Sequence, residues 1–448
     1  MRVQYIQSAC VVVEAQGVRV LCDPWLTDGA FYGSWFHYPT LKCTPEDFQD
    51  VDYIYISHVH PDHLDPGTLR RLPKSIPVLV HCYSEKFVLR TLEKLGFTDV
   101  REVGHRETMP LGSDFSLEIL AADDCDPAVC GRFFGCRMPT PYTRTMQIDS
   151  MAVFHSDGHT IVNANDCHYA LGRHNLDYVH SKNGEIDMLL VGYSGAGAYP
   201  QCFDNLSGEM KARKSADKRR QFLEQALDYV GHLRPRWFIP FAGQYVLGGR
   251  LAALNSHRGV PEIEDLPAEL APAVRERGLA SEMVLLDPCE SFDLDSGAAS
   301  AVFHPPDSHG RQRYTETVLA AKLMAYEGEM SIPRDQWVDL TPRLAAAQAR
   351  MHQYQQRYEY FPQTNLYLDS GQEDLYSIPF DKGEVRRVPR GSECEPFVRV
   401  GLDYTLLDMI LNRRAHWDNA EIGSHLRFFR SPDVYDRAVP FLMSRLHC

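Results

Sequence analysis

The chain has 448 residues, 44% apolar and 24% charged, with 46 basic against 60 acidic side chains and a net charge of −14. That length exceeds one average domain and predicts two, while the acidic balance argues against a nucleic-acid surface. The longest apolar runs, such as Val78-Leu79-Val80, are far too short to span a bilayer. The opening Met1-Arg2-Val3-Gln4-Tyr5 goes straight into a strand-like pattern. A cytoplasmic protein without a secretory leader is therefore expected, with its twelve scattered cysteines as free thiols.

Short strands are predicted at 3–6, 11–14, 18–22, 53–57 and 78–81. Residues 84–95 carry helical spacing at Phe87, Val88, Leu92 and Leu95, and Gly96 is a natural stop. A hairpin follows at 151–154 and 160–162, joined through Ser156-Asp157-Gly158. Residues 187–192 form another apolar strand, ending in Gly192-Tyr193-Ser194-Gly195-Ala196-Gly197, where glycine suits either a ligand approach or a tight turn. From 207 to 233, Phe222, Leu223, Ala226, Leu227 and Val230 recur on one face of a long amphipathic helix. Its first half holds Lys211, Arg213, Lys214, Lys218, Arg219 and Arg220. That run fits a solvated face, or a surface for an anionic group or an acidic redox partner. A strand at 237–240 leads into Phe241-Ala242-Gly243-Gln244. Pro305-Pro306-Asp307-Ser308-His309-Gly310 reads as a linker between a domain at 1–305 and a smaller, mostly helical one at 311–448, with helices at 314–326, 344–358 and 404–411.

The chemistry concentrates in Ser57-His58-Val59-His60-Pro61-Asp62-His63-Leu64-Asp65, which begins where the predicted strand ends. His58 and His60, two apart on an extended backbone, can point to one metal. Asp62 and His63 follow in the turn and can face a second. Imidazole with carboxylate suits zinc, iron or manganese without choosing among them.

This H-x-H-x-D-H order after a strand resembles the signature of the metallo-β-lactamase superfamily. The resemblance implies an α/β fold, an αββα sandwich, and extends to two other segments. Cys22-Asp23-Pro24-Trp25-Leu26 is similar to the family's early strand end, where an aspartate supports the metal loop. Ile161-Val162-Asn163-Ala164-Asn165-Asp166-Cys167 is similar to the strand that delivers a bridging aspartate, here Asp166. Hydrolases of this fold supply a third histidine before that aspartate. The corresponding stretch here holds Asp123, Asp124 and Asp126 instead, and Asp124 is the expected ligand, with Asp123 and Asp126 as alternates. The histidine usually found near the end of the second sheet is replaced by Ala242, which leaves His168 and His257 as candidates to complete the second site.

A carboxylate in place of imidazole makes the site harder and richer in oxygen, an environment that suits iron better than zinc-bound hydroxide. Asn165-Asp166-Cys167 together with Pro240-Phe241-Ala242-Gly243 resembles the CMP-sialic acid hydroxylase and UDP-muramic acid hydroxylase branch. The exchange of histidine for carboxylate resembles the diiron hydroxylases of antibiotic biosynthesis, including chloramphenicol β-hydroxylase and the platensimycin-pathway monooxygenase. These likenesses imply a diiron monooxygenase that takes O2 as co-substrate and hydroxylates a C–H bond of a small molecule, such as a terpenoid acid or nucleotide sugar. A zinc-dependent hydrolase of a phosphoester or thioester is the alternative. No catalytic residue beyond the ligands is expected. A Rieske centre would need Cys-x-His and Cys-x-x-His pairs. Neither occurs in these residues, so electrons would come from a separate ferredoxin or reductase. The aromatic loop of Trp25, Phe31, Tyr32, Trp35 and Phe36 fits either a pocket wall or packed core, and a homodimer through the C-terminal part is possible.

Overall fold

The computed structural model describes residues 1–83, 85–122, 149–381 and 383–448. The first strands are β1 (Arg2–Gln7), β2 (Cys10–Ala15), β3 (Val18–Cys22), β4 (Trp35–Phe36), β5 (Tyr53–Ile56), β6 (Val78–His81) and β7 (Val100–Val103). Then come β8 (Glu107–Pro110), β9 (Phe115–Ala121), β10 (Ser150–Ser156), β11 (His159–Asn163), β12 (Met188–Gly192), β13 (Trp237–Phe241) and β14 (Val246–Leu247). Short β15 (Glu282–Met283), β16 (Ser291–Asp293) and β17 (Ala298–Ala299) precede the C-terminal set β18 (Asn365–Asp369), β19 (Leu375–Ile378), β20 (Arg386–Val388), β21 (Phe397–Gly401) and β22 (Arg427–Ser431).

Two mixed sheets dominate, ordered β17-β16-β1-β2-β3-β5-β6-β7 and β15-β13-β12-β11-β10-β9-β8. Each begins with antiparallel hairpins and continues with parallel strands, β3 to β7 in one and β11 to β15 in the other. Parallel strands are covered on both faces, and the pleat sorts their side chains. Tyr55 and Leu79 face the core between the sheets, together with Val13, Ile119, Phe154 and Leu190. Ile54, Ile56, Val78 and Val80 point outward onto Leu69, Val88 and Leu92 of the helices Pro66–Arg71 and Phe87–Lys94. On the far side, Val162, Leu189 and Phe238 pack under Leu176, Val230 and Leu270 of the helices Tyr169–Asn183, Gly208–Leu233 and Leu266–Glu276. The result is the expected αββα sandwich.

The C-terminal region corrects the expectation of a mostly helical part. It is built around a five-stranded sheet, β20-β19-β18-β21-β22, with β18 and β21 parallel. The helix Thr341–Tyr358 covers this sheet, and two helices beyond Tyr404–Leu411 follow, Trp417–Ile422 and Ala438–Met443. The strands are short and separated by Gly- and Asp-rich turns, so their alternation was too brief to register as a pattern.

The region shares one apolar core with the sandwich. Trp25, Phe31, Trp35, Phe203 and Tyr245 lie in the same buried cluster as Leu368, Val400, Leu407 and Trp417. The aromatic loop is therefore packed core. The free-thiol expectation fails for one pair. Cys289 donates its N–H to the Tyr5 carbonyl at 2.7 Å, Gln7 of β1 donates its side-chain amide to the Pro39 carbonyl, and Cys43 and Cys289 join as a disulfide. Among the described residues no helix is long and apolar enough to cross a membrane.

Candidate metal centre

The centre forms where β3 and β5 of one sheet and β11 of the other come to their ends. Backbone hydrogen bonds from His63 and Leu64 to the His60 carbonyl, at 3.0 and 2.8 Å, fold residues 60–64 into a turn. Asp65 then caps the helix Pro66–Arg71, accepting the N–H groups of Gly67 and Thr68 and the hydroxyls of Thr27 and Thr68. Asp65 is thereby spent on the fold. The turn throws His58, His60, Asp62 and His63 to one side.

Nε2 of His58 lies 2.9 Å from Nδ1 of His60, so the two rings converge on one point. Nε2 of His63 lies 3.6 Å from Asp62 Oδ2 and 3.4 Å from Asp166 Oδ2. Asp166 Oδ2 is also 3.9 Å from His58 Nε2, which places this carboxylate between the two groups. His58, His63 and Asp166 offer ligand atoms within 4.8 Å of one another. Asp166 reaches this position because Asn165 adopts a left-handed backbone, φ 47°, a conformation asparagine tolerates better than most residues.

The outer nitrogens are held in turn. Asp23, at the end of β3, accepts the Ser57 N–H and hydroxyl, both at 2.7 Å, and the Nδ1–H of His63 at 2.9 Å. This leaves Nε2 of His63 as the nitrogen that faces Asp166 and is available to a cation. That Nε2 is buried without a hydrogen-bond partner among the described residues. On the other side, Nδ1 of His58 lies 3.0 Å from the Ser57 hydroxyl and 3.6 Å from Asp149 Oδ1.

The electrostatics suit a cation. Burial, reinforced by His63 and His60, holds His58 well below the usual imidazole range. Burial also lowers His60 to about 4, against the pull of Asp166. Both are neutral ligands at pH 7. Burial raises Asp62 to about 7, with His63 opposing. Burial works to lower His63 as well, but Asp166, Asp62 and Asp23 outweigh it and hold it well above its ordinary value. Without a cation the centre therefore stores protons on His63 and Asp62. A metal ion would displace them and satisfy the orphaned Nε2, so the residues present fit a metal.

The remaining candidates separate. Asp123, Asp124 and Asp126 lie outside the described residues. His168 caps the helix Tyr169–Asn183, its ring accepting the Ala170 N–H. His257 ends a 3-10 segment, beside Ser256 and with its carbonyl bonded to Ser215, and is not drawn into the cluster. Ala242 is buried in the core between the sheets and offers no ligand atom. The basic helix is largely consumed by the fold. Lys211 and Lys218 bond to backbone carbonyls, Arg219 pairs with Asp265 and Glu269, and Arg220 pairs with Asp217.

Two contributions had no sequence signal. Asp149 precedes a strand, and nothing in its neighbourhood points to His58. His416, which precedes the helix Trp417–Ile422, donates its N–H to the Tyr32 hydroxyl at 2.7 Å and so ties the C-terminal region to the aromatic loop.

Residues 2–242 match the family model described as beta-lactamase superfamily domain. The chain is 28% identical over 359 residues to a protein of Mycolicibacterium smegmatis provisionally described as a Rieske 2Fe-2S iron–sulfur protein, covering 78% of this chain and 62% of that one. It therefore spans about three-fifths of that relative's length. It is 24% identical over 464 residues to the cytidine monophosphate-N-acetylneuraminic acid hydroxylase of Cricetulus griseus, covering 97% of this chain and 74% of that one. Among solved structures, CmlA, a diiron β-hydroxylase from Streptomyces venezuelae, overlays with a TM-score of 0.39 at 19% identity, over 64% of this chain and 53% of that one. An isothiocyanate hydrolase from Delia radicum gut bacteria overlays with a TM-score of 0.44 at 16% identity, over 67% of this chain and all of that one.

Proposed function

The chain belongs to the beta-lactamase superfamily, and from that premise we propose that it is a non-haem diiron monooxygenase hydroxylating a small molecule. The observation that carries the reading is the cluster of His58, His63 and Asp166, whose ligand atoms lie within 4.8 Å of one another, with His60 2.9 Å from His58 and Asp62 3.6 Å from His63; in this reading His58 and His60 serve one ion, Asp62 and His63 the other, and Asp166 both. Two cations held by so few protein donors need a shared carboxylate to lower their mutual repulsion. Asp124 would complete the side of His58 and His60. Similarity to a sugar-nucleotide hydroxylase along nearly the whole chain supports oxygenation over hydrolysis. When bound, two ferrous ions would supply the activation of O2 that hydroxyl insertion requires.

The chain's own part is positioning and proton custody. Asp23 fixes the tautomer of His63, and Ser57 holds His58 from behind. Asp62 and His63 carry protons that leave when cations enter. The loop from Trp25 to Trp35 is buried in the core shared with the C-terminal region and tied to it through Tyr32 and His416. Electrons would come from a separate ferredoxin or reductase. The imidazole-rich set also suits zinc, so a zinc hydrolase is the second reading.

Anaerobic loading with ferrous iron, followed by Mössbauer spectroscopy before and after O2, decides between them. About two coupled irons per chain that react with O2 are expected. Tight zinc with phosphoester or thioester turnover, and no O2 reactivity of the iron form, would replace this reading with the hydrolase.

A further inference from the structure

One buried cluster outside the ligands joins the two loops that carry them. Ser150 opens β10 and is wholly buried. Its hydroxyl donates to the Ser57 carbonyl at 2.9 Å and lies 2.9 Å from the Tyr55 hydroxyl. Its carbonyl accepts the side-chain amide of Asn165 at 3.0 Å, and the same amide lies 3.4 Å from the Tyr55 hydroxyl.

Counting hydrogens gives the cluster a direction. Serine has one O–H, and it goes to Ser57. Tyr55 must then donate to Ser150 Oγ, and its oxygen accepts from Asn165. The relay runs from Asn165 through Tyr55 and Ser150 to Ser57. Its ends are the residue before Asp166 and the residue before His58. Those ends follow strands of different sheets, β11 in one and β5 in the other, so a side-chain bridge couples them. The hydroxyls and the amide N–H along the relay are paired, while Asn165 Oδ1 is buried without a hydrogen-bond partner among the described residues. Asp149, next to Ser150, adds its carboxylate behind His58 at 3.6 Å.

We infer that Ser150 is a positioning residue that sets the separation between the His58 side of the metal centre and Asp166, so that the two ions bind as a coupled pair. The inference rests on the two-ion reading above. Tyr83 supplies a control, because its hydroxyl also donates to the Ser57 carbonyl, at 2.5 Å, whereas the Asn165 amide is met by Ser150 and Tyr55.

The test uses the full chain titrated with cobalt(II), read by visible absorption and by the magnetic coupling of the loaded pair. The wild type should take up two ions cooperatively. Ser150→Ala should weaken the second ion at least tenfold and lose the coupling, and Ser150→Thr, which keeps the hydroxyl, should restore both. Asn165→Asp, which keeps the turn but removes the donor, should repeat the loss if Ser150→Ala fails to fold. Tyr83→Phe should lower thermal stability yet keep the coupling. Wild-type cooperativity in Ser150→Ala, or equal loss in Tyr83→Phe, overturns the inference alone. A wild type that binds a single ion overturns the two-ion reading and this inference with it.

Discussion

At the scale of single residues, the centre works through tautomers and protons. Asp23 has two oxygens facing three donors, the Ser57 N–H, the Ser57 hydroxyl and His63 Nδ1–H. Asp23→Asn would set an amide N–H against those donors and free His63 to place its proton on Nε2, the atom that faces Asp166. Metal affinity should fall about 10–100-fold, measured by competition with a chelator of known affinity. Unchanged affinity would mean that His63 holds its tautomer without help. A second prediction follows from the protons stored on His63 and Asp62. At pH 7 metal loading should release about one to two protons per chain, seen as a dependence of the binding heat on buffer ionisation. Because those protons compete with the metal, affinity should rise with pH through the region near 7 where Asp62 titrates. A flat profile would count against this protonation scheme. His58, His60, Asp62 and His63 were legible in the sequence because one short turn carries them all. Asp149 was not, because a carboxylate before a strand looks the same whether it meets solvent or a histidine.

Among the elements, the loop between β3 and β5 is the joint between the centre and the rest of the molecule. His425, just before β22, donates Nε2–H to the Phe31 carbonyl at 2.6 Å and accepts from the Tyr326 hydroxyl at 2.8 Å. Burial pushes its pKa down to about 4, with Arg250 adding to the effect and the Phe31 carbonyl opposing it. The folded value lies below the unfolded one near 6.5, so between those values the unfolded chain binds more protons. Stability should therefore fall as pH drops from about 6.5 to about 4, by about 3 kcal/mol at most. His425→Gln can make both hydrogen bonds without titrating. Denaturation of the two proteins between pH 7 and 4 should separate them by that amount, and parallel curves would show that His425 is not held neutral. The long helix Gly208–Leu233 and the strands ending in Cys22, Ile56, Asn163 and Phe241 were readable from periodicity, since each buries a continuous face. The strands of the third sheet were not, because three to five residues between turns carry too little pattern.

For the molecule as a whole, the region after residue 305 completes a core that the sandwich begins. Trp25, Phe31, Trp35, Phe203 and Tyr245 pack into the cluster that holds Leu368, Val400 and Trp417. Exposing five such side chains would cost on the order of 10 kcal/mol, comparable to the entire stability of a typical domain. A fragment of residues 1–305 should therefore aggregate or bind a hydrophobic dye, whereas a monomeric fragment with a cooperative melt would show that the sandwich stands alone. The amino-acid order by itself determined the sandwich and the ligand turn, because strand alternation, helical spacing and a six-residue motif are local and repeat within reach of one another. Only the tertiary structure decided that Asp149 stands behind His58 and that Ser150 bridges the sheets. Those contacts join residues tens of positions apart, and it is the stacking of the sheets that brings them within bonding distance.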